Sequence, residues 1–124
     1  MEHTLPRGVV DSSVRNVYGD PSRVTSELVD RYYELTLRGG NRQALAYRMD
    51  QRVSGDEVHI KRLKLPTLIL WGARDHLIPL ENAQRFATDI QGSKLVVFEN
   101  LGHVPQEEDA QETVKALKVF LDLR

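Results

Sequence analysis

The chain has 124 residues, 40% apolar, 28% charged and 6% aromatic, the make-up of one ordinary soluble globular domain, which excludes disordered, collagenous and low-complexity classes. Its 17 basic and 18 acidic groups leave a net charge of −1 without a basic stripe, so nucleic acid is not an expected partner. There is no cysteine, no run near the ~20 apolar residues of a membrane helix and no signal-peptide core in the opening MEHTLPRGVV, all of which fits a cytoplasmic protein away from membranes.

In chain order, residues 1–20 read as irregular, punctuated by Pro6, Gly8 and Gly19, with Val14, Val17 and Tyr18 spaced for a short helix near 10–18. Thr25 is a good N-cap, Glu27 suits the first turn, and Leu28, Val29, Tyr32 and Leu35 make the apolar stripe of the next helix. Gly39 and Gly40 end it. Asn41 is expected to cap a further short helix through about Arg52, with Ala44, Leu45 and Met49 on one face, before Ser54-Gly55-Asp56 breaks the pattern.

The second half changes character. Leu65 to Gly72 is a nearly continuous apolar run, which suits a strand of a parallel sheet covered on both faces. Pro79 precedes a helix over Glu81–Ile90, and Leu95–Phe98 reads as a second buried strand. The clearest helix runs from Asp109 to Leu123, with Asp109 and Glu112 as a capping box and Val114, Leu117, Leu121 and their apolar neighbours as its inward side. Strand, helix, strand, helix implies right-handed parallel crossovers and an α/β sheet. The charge supports a division near residue 64: 11 basic and 9 acidic groups precede it, 6 and 9 follow. The expected organisation is an all-helical part over 1–52, a linker over 53–64 and an α/β part over 65–124.

In open α/β sheets chemistry sits beyond the carboxyl ends of the strands. Trp71-Gly72-Ala73-Arg74-Asp75-His76 follows the first strand, and Glu99-Asn100-Leu101-Gly102-His103-Val104-Pro105 follows the second. Parallel neighbouring strands bring Asp75 and His103 to one edge, where a carboxylate fixes the tautomer of an imidazole that takes a proton. His76 reads as a solvated loop residue, since adjacent side chains point apart and no metal-ligand spacing is present, and Asp56, Glu57 and His59 read as a hydrated cluster. Tyr18, Tyr32, Tyr33 and Tyr47 read as packing residues at helical spacing, with Tyr18 and Tyr32 the candidates to line a substrate pocket.

Strand-Trp71-Gly72-x-x-Asp75, then Ile78-Pro79, then a strand and Gly102-His103-x-Pro105, resembles the C-terminal end of an α/β-hydrolase over about residues 63–124. The resemblance implies Asp75 as the acid and His103 as the general base of a catalytic triad. The helical half, with Tyr18-Gly19-Asp20-Pro21, resembles a cap over the active site. The family's Gly-His-x-Pro-x-x-Glu is matched, although the proline that often follows it is replaced by Asp109-Ala110.

The larger departure is the nucleophile. None of the six serines, at 12, 13, 22, 26, 54 and 93, stands in Gly-x-Ser-x-Gly, and there is no Asp-centred elbow. The expected fold class is therefore α/β, a cap-like helical half followed by a β-α-β-α unit of a parallel sheet that is incomplete as a monomer. The expected function is the C-terminal part of a hydrolase of ester-like or related small substrates, needing no cofactor or metal and inactive alone. The alternative is a truncated, non-catalytic homologue that binds or dimerises through the exposed edge of the 67–71 strand.

Overall fold

The computed structural model describes residues 5–51 and 57–122. The first helix, α1 (Arg7–Val17), matches the short helix expected near 10–18 and starts three residues earlier, inside the stretch read as irregular. Pro6 sits at its N-cap in an extended conformation, and its carbonyl takes the amides of Val9 and Val10 (2.9 and 3.4 Å), so the Val9 donor of the first turn is paired without a side-chain cap. Gly8 falls within that turn instead of breaking it. Val10 and Val14, one turn apart, face inward.

A single 3-10 turn, Pro21–Arg23, is capped by Asp20, whose side chain accepts from the Ser22 amide (3.0 Å). The second helix, α2 (Ser26–Leu37), carries its expected cap, Thr25 Oγ1 accepting from the Leu28 amide (3.2 Å). The third, α3 (Asn41–Asp50), is capped by Gly40 and not by Asn41. Gly40 takes the left-handed φ of 87° that glycine adopts without a Cβ penalty. Asn41 becomes the first helical residue, and its Nδ2 reaches back to the Leu35 carbonyl (2.7 Å). The proposed breaker Ser54-Gly55-Asp56 and the helix end at Arg52 lie outside the described residues.

The stretch expected as a linker contains a short helix, α4 (Glu57–Lys61), which Lys61 ties to Asp89 (3.7 Å). Then come β1 (Leu68–Gly72), α5 (Leu80–Asp89) and β2 (Lys94–Phe98), the strand-helix-strand order expected. The two strands pair in parallel with Leu68 opposite Lys94 and Gly72 opposite Phe98. After β2 comes a short helix that the sequence reading missed, α6 (Pro105–Glu108), and then the last expected helix, α7 (Ala110–Phe120). Asp109 separates them. Its amide donates to the Pro105 carbonyl, while its side chain accepts from the Glu112 amide (3.0 Å), so only one arm of the expected capping box is used.

Val10, Val14, Tyr18, Val24 and Val29 form one buried cluster, with Val29 fully enclosed. In the second half Ile69, Ala83, Ile90 and Leu101 are buried. The inward side expected for α7 is not inward: Val114, Leu117 and Leu121 are exposed, and Thr113 is the buried member. Leu45 and Met49 on α3 are likewise exposed. These faces have the right period but are left exposed among the described residues. No described helix is long and apolar enough to cross a membrane.

Candidate active site

Because Gly72 and Phe98 are register partners, the loops after β1 and β2 leave the sheet together. The backbone stitches them: Ala73 donates to the Phe98 carbonyl and Arg74 to the Leu101 carbonyl, both at 2.9 Å. The Arg74 guanidinium adds a bond to the Asn100 side chain (2.8 Å).

Within this frame Asp75 and His103 meet as the sequence predicts, His103 Nδ1 lying 2.8 Å from Asp75 Oδ2. The other Asp75 oxygen accepts the amides of Leu77 (2.8 Å) and Ile78 (2.9 Å), so the carboxylate is clamped by its own turn. Burial pushes its pKa up, but the Ile78 amide, the His103 ring and the Leu77 amide outweigh burial and hold it below the ordinary carboxylate value. The side chain is 5% exposed and that of His103 is 33% exposed. An ionised Asp75 at Nδ1 selects the tautomer protonated there, which leaves Nε2 as the basic nitrogen. The backbone of His103 is fixed separately, its amide donating to the Val17 carbonyl at 2.7 Å.

A hollow of about 220 Å³ opens at the pair. Leu70, Trp71, Ile78 and Pro105 give it apolar walls, with Asp75 and His103 as its titratable groups. Trp71 is held by a bond from its indole N–H to the Ile78 carbonyl (3.2 Å) and by a tilted contact with Phe86. No described serine lines the hollow, and Ser54 lies outside the described residues.

Tyr18 and Tyr32 stand elsewhere. Tyr18 is in the buried cluster of the helical half, and Tyr32 lines a separate apolar groove of about 700 Å³ between α2 and α3. Both hydroxyls converge on Glu107 Oε2, Tyr32 at 2.8 Å and Tyr18 at 3.5 Å. Burial and then the Glu107 bond and charge push the Tyr32 phenol up to about 12, so it remains a donor at neutral pH. Burial, followed by the charge of Glu107, raises Tyr18 as well. His76 is an exposed loop residue, and no three His, Asp or Glu side chains among the described residues are grouped to hold a metal ion.

Two acids escaped the sequence reading as interaction partners. Glu107 gathers the tyrosines, and the buried Glu108 accepts the amides of Gly19 and Gly102. The signal was present in Gly-His-x-Pro-x-x-Glu, whose last residue is Glu108, but its partner at Gly19 is 89 positions away.

Residues 3–110 match the model of the alpha/beta hydrolase fold. Over 109 residues the chain is 31% identical to the 2-hydroxy-6-oxo-2,4-heptadienoate hydrolase of Pseudomonas putida, covering 82% of this chain and 40% of that protein. It is 28% identical over 87 residues to Lipase 3 of Moraxella sp., covering 66% of this chain and 28% of the lipase. Its fold superposes on the meta-cleavage product hydrolase of Pseudomonas fluorescens IP01 with a TM-score of 0.84 at 24% identity, over 97% of this chain and 47% of that one. The chain thus spans less than half the length of these relatives.

Proposed function

The chain belongs to the alpha/beta hydrolase fold family, and from that premise we propose that it carries the acid and the base of a hydrolytic site. The observation that supports this most directly is the 2.8 Å pairing of His103 Nδ1 with a buried Asp75 at the carboxyl edge of two parallel strands. Asp75 orients the ring and stabilises the imidazolium. His103 Nε2 takes the proton of a nucleophile as it attacks the carbonyl carbon of an ester-like or related small substrate, then returns that proton to the leaving group. A second cycle on water, with His103 again as base, releases the acyl group. The nucleophile and the oxyanion donors come from outside these 124 residues, and the helical half covers the site as a cap.

The test combines sequence and kinetics. The coding sequence upstream of the Met1 codon is expected to hold an in-frame Gly-x-Ser-x-Gly. The product that includes it is expected to turn over p-nitrophenyl esters, with kcat falling by about 10⁶ in His103→Ala. The 124 residues alone are expected to be inactive. Turnover that survives His103→Ala sinks the proposal.

A second reading is favoured by the open edge of β1, which pairs only with β2 among the described residues. Two copies pairing there would make a binding module without catalysis. Light scattering separates the two: a well-folded monomer removes this second reading.

A further inference from the structure

The loop that carries His103 is gripped from the far end of the sequence. Glu108 is 3% exposed, and its two oxygens are both used: Oε1 accepts the Gly102 amide at 2.6 Å and Oε2 the Gly19 amide at 2.8 Å. One residue after Gly102, the His103 amide donates to the carbonyl of Val17, two residues before Gly19 (2.7 Å). The two glycines touch so closely that neither leaves room for a Cβ. One built on Gly19 meets the backbone of Asn100, Leu101 and Gly102, and one built on Gly102 meets that of Val17, Tyr18 and Gly19. Next to this clamp, Glu107 takes the hydroxyls of Tyr18 and Tyr32. All of these contacts except the Glu108–Gly102 bond join the loop or α6 to the helical half.

We propose that Glu108 is a positioning residue, a buried two-armed acceptor that ties the cap-like helices to the His103 loop, so that the placement of those helices sets the placement of the base. The inference rests on the reading of His103 as that base. Its chemistry is specific to a carboxylate. A glutamine of the same shape offers one acceptor oxygen, and its NH₂ would face a second N–H donor, so one arm must open. Opening the Oε1 arm frees Gly102, the residue next to His103, and opening the Oε2 arm unties that loop from Gly19, while Asp75 stays clamped by Leu77 and Ile78. The two partners of the 2.8 Å pair then no longer share one frame.

The experiment uses the ¹⁵N-labelled 124-residue chain at about pH 8, above the ordinary imidazole range, with Asp75→Asn as the reference for a lost pair. Two-bond proton–nitrogen correlations report which ring nitrogen of His103 carries the proton. In the wild type we expect the Nδ1–H form. In Glu108→Gln we expect the fraction of that form to fall at least about twofold toward the Asp75→Asn pattern, with helical circular dichroism and Trp71 fluorescence kept. A folded Glu108→Gln chain with an unchanged fraction overturns the proposal, because a role confined to stability would not move the tautomer.

If Glu108→Gln does not fold, hydrogen exchange in the wild type decides. A shared clamp requires the Gly19 and Gly102 amides to open together, with protection factors within about threefold of each other, and a difference above about tenfold overturns it. A wild-type His103 lacking the Nδ1–H form strikes at the Asp75–His103 reading instead, and the clamp is then judged on the same exchange rates.

Discussion

In the helical half Val10, Val14, Tyr18, Val24 and Val29 are each at most 5% exposed and pack on one another. In the half that carries Asp75 and His103, Val114, Leu117, Val119 and Leu121 of the last helix region and Leu65 before β1 lie open. The difference follows from how each architecture closes. Helices that follow one another in the chain bury an apolar stripe with chain from nearby. A parallel strand has two faces and two edges, and β1 has one paired edge among the described residues. The Asp75–His103 pair does not share this incompleteness. Its geometry depends on loops stitched at the sheet edge and on the junction with α1, both of which are present.

The junction is where the two halves are most sensitive to change. Gly102→Ala sets a methyl group against the backbone of Val17, Tyr18 and Gly19, which has no flexible end to move aside. We expect a loss of about 3 kcal/mol, the upper part of the range for overpacking, read as a fall in the urea midpoint. A loss under about 1 kcal/mol would mean that the loop slides freely past the helical half, as ordinary surface substitutions behave.

The contrast in burial itself is tested by a matched pair. Val29→Ala removes two methyl groups from an enclosed site and should cost about 2 kcal/mol. Val119→Ala removes the same atoms from a residue 73% exposed and should cost no more than about 0.5 kcal/mol. Equal losses in urea denaturation would show that α7 is covered in solution, and the concentration dependence of the Val119→Ala effect would say whether a second copy covers it.

The parts of this architecture legible in the sequence are those encoded within a few residues. Thr25 announces its helix because a cap acts on an amide three positions away. The apolar runs 65–72 and 95–98 mark strands because both faces of a parallel strand are apolar. Asp75 and His103 follow from strand ends, since parallel pairing brings successive strand ends to one edge. The misses are of two kinds. Some are local competitions that sequence leaves balanced: Pro6 starting α1, Gly40 taking the cap from Asn41, Asp109 dividing α6 from α7. The others depend on distant partners. Glu108 reads as one more surface acid beside Glu107 until Gly19 is placed against Gly102, and the face of α7 reads as core because period alone does not say what it meets.

The smallest expected effect concerns the acid of the pair, and its sign is fixed by the direction of its shift. Asp75 in the folded chain titrates below its ordinary value, since the amides of Ile78 and Leu77 and the His103 ring favour the ionised form over the penalty of burial. The unfolded chain therefore binds a proton at Asp75 at a higher pH than the folded chain does. The stabilisation from these bonds is fully present above the unfolded value, near pH 4, and is lost as pH falls through the lower folded value. Asp75→Asn has no such proton to bind. We expect the stability gap between wild type and Asp75→Asn, measured by urea unfolding, to be constant from about pH 7 to 5 and to shrink only below about pH 4. A gap that already closes between about pH 7 and 5 would show that ionisation of the clamped carboxylate is not what stabilises this half.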